Sequence, residues 1–158
     1  MIPSSWVLPS NTHLVGEGDN DPYSSTPGTT IQVSGSFTAP GSMIQFASAS
    51  GASGISVERL TLDGKGLGVN GIVNQYAGNN TYVDHVTLYR LLGVGLQVAG
   101  SANNSGPYTN IAFDTGSATG RLALASASHP NCRVPVQALL GRGCSFATDS
   151  AGAPSRAV

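Results

Sequence analysis

The stretch NNTYVDHVTLYRLLGVGLQV, residues 79–98, repeats the pattern of the stretch that precedes it. Residues 52–73 read ASGISVERLTLDGKGLGVNGIV, and both stretches hold two short runs of alternating apolar and polar residues separated by glycines. Alternation with a period of two is typical of β-strands, because successive side chains of a strand point to opposite faces. The repetition therefore predicts a unit of short strands that the chain builds more than once.

The spacing of the repeat decides among repeat architectures. Val57 and Val83 are 26 positions apart, and Val86 and Ile111 are 25 apart. A propeller blade needs about 40–45 residues, whereas a parallel β-helix stacks short coils about 4.8 Å apart around one core. An antiparallel sandwich with coincidental repetition is the alternative. The positions predicted to face the common core are Val57, Leu60, Leu62, Val83, Val86, Leu88, Ile111 and Phe113.

Polar pairs interrupt the alternation at equivalent places in the repeat. Glu58-Arg59, Asp84-His85 and Thr109-Asn110 each lie between two apolar positions, and we interpret them as corners where the strand bends to a new face. An Asp-His contact is possible at the second corner. Residues 16–30 form an acidic, glycine-rich stretch that we interpret as an excursion from the first coil.

Composition limits the domain count and the function classes. The chain has 158 residues, of which 9% are charged, with a net charge of −1, so nothing favours nucleic acid or an anionic membrane as a partner. It contains no apolar run long enough for a transmembrane helix, and its first residues do not resemble a signal peptide. We predict β-helix coils in residues 1–116 and an irregular tail in residues 117–158.

The tail differs from the rest of the chain in pattern and charge. Residues 117–158 leave the repeat, are rich in arginine and hold both cysteines, Cys132 and Cys144. Two interpretations remain open: a flexible or loosely helical cap, and translation in a shifted frame after a genuine β-helix opening. With both ends of the coils uncapped, self-association through the helix ends is a further expectation.

Three segments together resemble a known family. LPSNTHLVGEG (8–18), VERLTLDG (57–64) and TYVDHVTLYRLLGVGLQV (81–98) look like the opening coils of right-handed β-helix proteins of the pectate-lyase-like superfamily. The resemblance implies a right-handed parallel β-helix, here of about three to four coils. It also implies an exported protein that acts on polysaccharide. The catalytic motifs of the family's hydrolases and the aspartate cluster by which pectate lyases hold calcium are absent from this sequence.

One column of the repeat carries the candidate site residues. Asp63, Tyr89 and Asp114 each follow an inward position directly, so the two aspartates lie two coils apart, about 9.6 Å. Inverting glycosidases separate their carboxyl groups by about 6.5–9.5 Å. Asp63 and Asp114 are therefore catalytic candidates, with Tyr89 to stack on a sugar and Arg90 to bind a uronate carboxylate. The alternative is that both aspartates are turn residues that bond their own backbone.

These features predict a fragment of an extracellular carbohydrate-active β-helix protein, similar to a polysaccharide lyase or glycoside hydrolase. The fragment is expected to be inactive by itself, and its intact parent to be secreted or attached to the cell surface. The alternative is a non-catalytic structural or glycan-binding module of an adhesin or tail fibre. The expected partner is a polysaccharide or other glycan. No metal spacing or cofactor motif occurs, so no cofactor and no metal site are predicted.

Overall fold

The computed structural model describes residues 1–19, 28–98 and 105–114, together with the backbone of two further strands. Cys132, Cys144 and residues 20–27 of the acidic stretch lie outside the described residues. The strands in chain order are β1 Trp6–Leu8, β2 His13–Val15, β3 Thr30–Gln32, β4 Ser42–Phe46, β5 Ser56–Leu67, β6 Asn70–Asn74, β7 Tyr82–Leu91, β8 Val94–Val98, β9 Tyr108–Asp114, β10 Arg121–Leu124 and β11 Ser145–Phe146.

The strands form two sheets in which every described pairing is parallel. The first sheet has the order β1-β4-β6-β8-β10-β11, and the second has the order β2-β5-β7-β9 with β3 also paired to β5. From β4 to β10 the chain alternates between the two sheets. The prediction of an all-β fold is confirmed, and antiparallel pairing is not found among these strands. Closure of the strands into right-handed coils remains a prediction. Within the described ranges, no helix has the length and apolar character that crossing a membrane requires.

The register of the second sheet follows the predicted alignment of the repeat. Val57 pairs with Val83, Leu60 with Val86 and Leu62 with Leu88, as the alignment predicted. Strand β9 pairs with β7 in the same manner. The eight predicted core residues are all buried, with exposures of 0–2% for seven of them and 7% for Phe113. The repeat therefore brings equivalent side chains side by side in one hydrophobic core.

Each predicted corner of the second sheet contains a left-handed residue, which bends the strand locally; a turn to a new face stays a prediction. Arg59, His85 and Asn110 have φ angles of 52°, 51° and 52°, in the left-handed region that L-residues rarely adopt. One left-handed residue breaks the period of two, and so Val57 and Leu60, three positions apart, can both face the core. The side chain at each bend is exposed.

The acidic stretch leaves the second sheet at this same corner. Strands β2 and β3 pair with β5 on either side of Arg59. In strands β7 and β9 the corresponding segments are joined by a single bend residue, so the stretch between β2 and β3 is an insertion relative to those strands. Gly16 allows it, because a Cβ there would lie 2.2 Å from the carbonyl oxygen of Arg59.

The segment predicted as an irregular tail contains two short strands. Strand β10 pairs with β8, and β11 pairs with β10, so the backbone continues the first sheet by two strands. The remaining residues of 117–158 lie outside the described part of the chain. The boundary predicted near residue 116 stays a prediction.

Candidate functional site

The bends divide the outward face of the second sheet into two polar regions. Before the bend lies a region that we call the corner site, and after it lies one that we call the clasp. The corner site consists of His13, Ser56, Glu58, Tyr82, Asp84, His85, Thr109 and Asn110. The clasp consists of Gln32, Asp63, Tyr89 and Arg90.

The clasp is built around the carboxylate of Asp63, whose side chain is only 2% exposed. Its Oδ1 accepts hydrogen bonds from Arg90 Nε at 2.9 Å and from the Lys65 amide at 2.9 Å. Its Oδ2 accepts from Arg90 Nη2 and from Gln32 Nε2, the latter at 2.9 Å. Four donors thus saturate this carboxylate, and they come from strands β3, β5 and β7.

The charge of Asp63 is stabilised by these donors. Burial raises the pKa of the Asp63 carboxyl, but the hydrogen bonds from Arg90 and the Lys65 amide outweigh burial and hold the pKa below its ordinary value. The same pairing raises the pKa of Arg90. The clasp is therefore a bidentate ion pair between neighbouring strands of the sheet.

The structure brings the predicted site residues together, but two of them contact other residues of the protein instead of being free for a ligand. Asp63, Tyr89 and Asp114 share one register position on three strands, as the alignment predicted. However, the guanidinium of Arg90 lies 4.7 Å from the centroid of the Tyr89 ring and is bonded to Asp63. Arg90 and one face of Tyr89 are thus engaged within the protein. The Asp114 side chain lies outside the described residues, and the catalytic roles of Asp63 and Asp114 stay predictions.

The geometry of Asp63 agrees with the alternative interpretation, in which this aspartate is a turn residue. Its Oδ1 accepts from the amide two residues on, and Lys65 has a left-handed φ of 52°. An aspartate that bonds its own backbone in this way stabilises a tight bend. This contact is sufficient reason for an aspartate at that position.

The first half of the corner site is centred on Glu58, which is half-buried. Its Oε1 accepts from the Ser56 hydroxyl at 2.7 Å and from the Tyr82 hydroxyl at 2.8 Å. The Ser56 hydroxyl also lies 2.8 Å from His13 Nδ1. Since the single hydroxyl proton of Ser56 goes to Glu58, the imidazole donates to Ser56 through Nδ1–H. The Ser56 bond, with help from Tyr82, lowers the pKa of Glu58, and the bond to Glu58 raises the pKa of Tyr82.

The second half of the corner site is centred on Asp84, which pairs in register with Glu58 across strands β5 and β7. Its Oδ1 accepts from Thr109 Oγ1 at 2.6 Å and from Asn110 Nδ2 at 2.9 Å. His85 Nδ1 lies 2.8 Å from Oδ2, so the Asp-His contact considered from the sequence is present. Burial raises the pKa of Asp84, but the hydrogen bonds from Thr109 and His85 outweigh it and leave the pKa lowered.

The two regions differ in access from solvent. The Asp84 side chain is 34% exposed and the His85 side chain 54%, against 2% for Asp63. A ligand can therefore reach the carboxylates of the corner site, whereas the carboxylate of the clasp is covered.

The corner site combines carboxylates of lowered pKa with a buried hydroxyl. A general acid needs a pKa raised toward the working pH, yet the pKa values of Glu58, Asp63 and Asp84 are all lowered. The Ser56 hydroxyl is fully buried. It also lies between the acid and the histidine, whereas a nucleophile stands beyond the histidine in a catalytic triad. The site instead offers fixed acceptors and donors to a hydroxyl-bearing ligand.

Sequence reasoning marked Glu58, Asp84, His85, Thr109 and Asn110 as corner residues. It predicted no binding role for any of them, and it assigned no role to Ser56 or Tyr82. A usable signal existed, because Ser56 and Glu58 are two positions apart and thus share the outward face, next to Tyr82 in the predicted register.

Comparisons with known protein families, with curated proteins and with solved structures found no match for this chain. Among the residues that the structure describes, no group of three or more His, Cys, Asp or Glu side chains is arranged to hold a metal ion.

Proposed function

We propose that the two sheets are the faces of a right-handed parallel β-helix. Three observations support this proposal. The chain alternates between the sheets, equivalent positions 24–26 residues apart are lateral neighbours, and a left-handed residue recurs at each corner of the second sheet. This architecture turns each polar corner into a ladder that runs along the stack of coils.

We further propose that this chain belongs to an exported, polysaccharide-handling protein, and that its corner site binds glycan without cleaving it. The observation that carries the proposal is the pair of in-register carboxylates, Glu58 and Asp84, each held deprotonated by hydroxyl, amide or imidazole donors at a face open to solvent. Ionised carboxylates accept strong hydrogen bonds from sugar hydroxyls and cannot serve as general acids.

The pattern of donors fits a carbohydrate ligand for a second reason. The hydroxyl of Tyr82 is anchored on Glu58, which fixes its half-buried ring beside the carboxylate. An aromatic ring next to fixed polar groups gives a sugar both an apolar face and hydrogen-bond partners.

The experiment combines binding and turnover on the same preparation. Affinity electrophoresis in gels that contain soluble polysaccharides measures retardation, and a reducing-end assay measures cleavage. We expect retardation by at least one polysaccharide and no release of reducing ends. Tyr82→Ala should weaken retardation at least several-fold, whereas the matched control Tyr76→Ala, at an exposed tyrosine outside the corner site, should leave it unchanged.

Two results would contradict the proposal. Cleavage that Asp63→Asn abolishes would restore the catalytic assignment of the aspartate column. Absence of retardation by every neutral, acidic and basic polysaccharide tested would remove glycan binding altogether.

A further inference from the structure

The cation that was predicted to bind an acidic sugar is already paired with a carboxylate of the protein. Arg90 was expected to bind the carboxylate of a uronate. Its guanidinium instead makes a bidentate contact with Asp63, a carboxylate with four donors and 2% exposure. Releasing Arg90 to a ligand would leave a buried carboxylate without its charge partner, which is costly. The guanidinium of the clasp is therefore not free for a ligand, and the exposed Lys65 is the other cation after the bend among the described residues.

The charges at the corner site disfavour an anionic ligand. Glu58 and Asp84 are direct register partners, so their backbones lie about 4.8 Å apart on neighbouring strands. Arg59 lies at the bend between the two regions and is exposed. One exposed cation beside two carboxylates leaves a net negative field, which repels an anionic polymer and is indifferent to a neutral one.

On the basis of the proposed function, we infer that the ligand of the corner site is a neutral polysaccharide and that polyuronates are excluded by Glu58 and Asp84. The contacts that remain for such a ligand are its hydroxyl groups, bound by the two carboxylates, and its apolar sugar face, packed on Tyr82. Such contacts depend little on ionic strength.

The test uses the full chain at pH 8, above the usual titration range of histidine. Affinity electrophoresis is run with polygalacturonate, with a set of neutral galactans, mannans and glucans, and with chitosan as the basic polymer. The doubly substituted variant Glu58→Gln/Asp84→Asn is compared with Glu17→Gln/Asp19→Asn, which removes the same charge from exposed residues that follow β2.

We expect retardation by a neutral polysaccharide that changes less than twofold between low and high salt, and none by polygalacturonate. The Glu58→Gln/Asp84→Asn variant should lose several-fold on the neutral ligand and gain measurable retardation on polygalacturonate. The Glu17→Gln/Asp19→Asn control should show neither change.

Each other outcome has a defined meaning. Salt-sensitive binding of polygalacturonate or of chitosan in preference to neutral polymers would overturn the inference and leave glycan binding intact. Neutral binding without any gain on polygalacturonate in the Glu58→Gln/Asp84→Asn variant would also overturn the inference, because exclusion by charge would then be wrong. Failure to bind any polymer would reject the proposed function and the inference with it.

Discussion

Glu58 and Asp63 lie five positions apart on strand β5, point away from the same core and have lowered pKa values, yet they occupy opposite environments. Glu58 is half-buried and is held by the neutral hydroxyls of Ser56 and Tyr82. Asp63 is covered and is held by the guanidinium of Arg90. The difference shows that a carboxylate on this sheet becomes part of the scaffold where a cation on the next strand reaches it, and stays available where hydroxyls are its partners.

The bend at Arg59 separates these two environments. Before it, outward side chains belong to the corner site, and after it they belong to the clasp, so a single left-handed residue divides one strand between two roles. Substitutions on either side should therefore affect different properties: stability in the clasp and ligand binding in the corner site.

The largest effect should come from the core that both regions share. Leu88 lies on β7 with 2% exposure, and Leu88→Ala should lower the free energy of unfolding by about 2–5 kcal/mol. Urea denaturation followed by circular dichroism measures this change. Leu92→Ala, at a leucine with 45% exposure, is the control and should cost about 0.5 kcal/mol or less. Equal costs at the two leucines would contradict the described core.

Removing the cation of the clasp should have the second-largest effect on the free energy of unfolding. Arg90→Ala leaves the Asp63 carboxylate buried without its ion-pair partner, and we expect a loss of about 1–3 kcal/mol in the free energy of unfolding. Glu58→Gln should cost less, because a glutamine side-chain oxygen can still accept from Ser56 and Tyr82. If Glu58→Gln destabilised the chain more than Arg90→Ala, the division into clasp and corner site would fail.

The pH dependence of stability should distinguish Asp63 from the carboxylates of the corner site. The folded-state pKa of Asp63 lies below its ordinary value, so its contribution is fully present above about pH 4 and is lost as the pH falls through the folded-state pKa. Asp63→Asn should therefore flatten the decline in melting temperature below about pH 4. Glu58→Gln and a second control, Asp84→Asn, should flatten the decline less, because those carboxylates are not bonded to a guanidinium. An unchanged acid profile in Asp63→Asn would contradict the assignment.

The smallest effect should come from the bend itself. A left-handed conformation costs an L-residue roughly 1–2 kcal/mol and costs glycine almost nothing, although glycine loses more entropy on folding. Arg59→Gly should therefore stabilise the chain by up to about 1 kcal/mol, while the matched variant Arg59→Ala, which keeps a Cβ, should change little. Destabilisation by glycine relative to alanine would mean that the bend is not left-handed in solution.

Much of the second sheet could be predicted because its information is local and periodic. The apolar positions of the repeat determined which side chains face the core, and the offset between copies determined the register. The polar pairs marked the bends, since two consecutive outward residues are incompatible with a straight strand. Strands β10 and β11 were missed, because residues 117–158 carry no copy of the repeat to align.

The partners of the carboxylates could not be predicted in the same way. Asp63 and Arg90 are 27 positions apart and do not share a register position, and a left-handed φ of 49° at Arg90 accompanies their contact. His13 reaches Ser56 only because β2 pairs beside β5 in the register that starts at these two residues. A pattern of apolar and polar residues indicates which side chains face outward, but not which outward side chains of neighbouring strands bond to each other.

The sequence by itself determined that this chain is built of repeated short strands around one apolar core, with bends at fixed polar positions. The tertiary structure alone decided which carboxylates are buried and which are accessible to solvent. It places Arg90 against Asp63 and hydroxyl groups against Glu58. The physical reason is one of range. Hydrophobic alternation acts between residues that are two or three positions apart. The contacts of Arg90 with Asp63 and of Tyr82 with Glu58 join residues 27 and 24 positions apart, which only the pairing of neighbouring strands brings together.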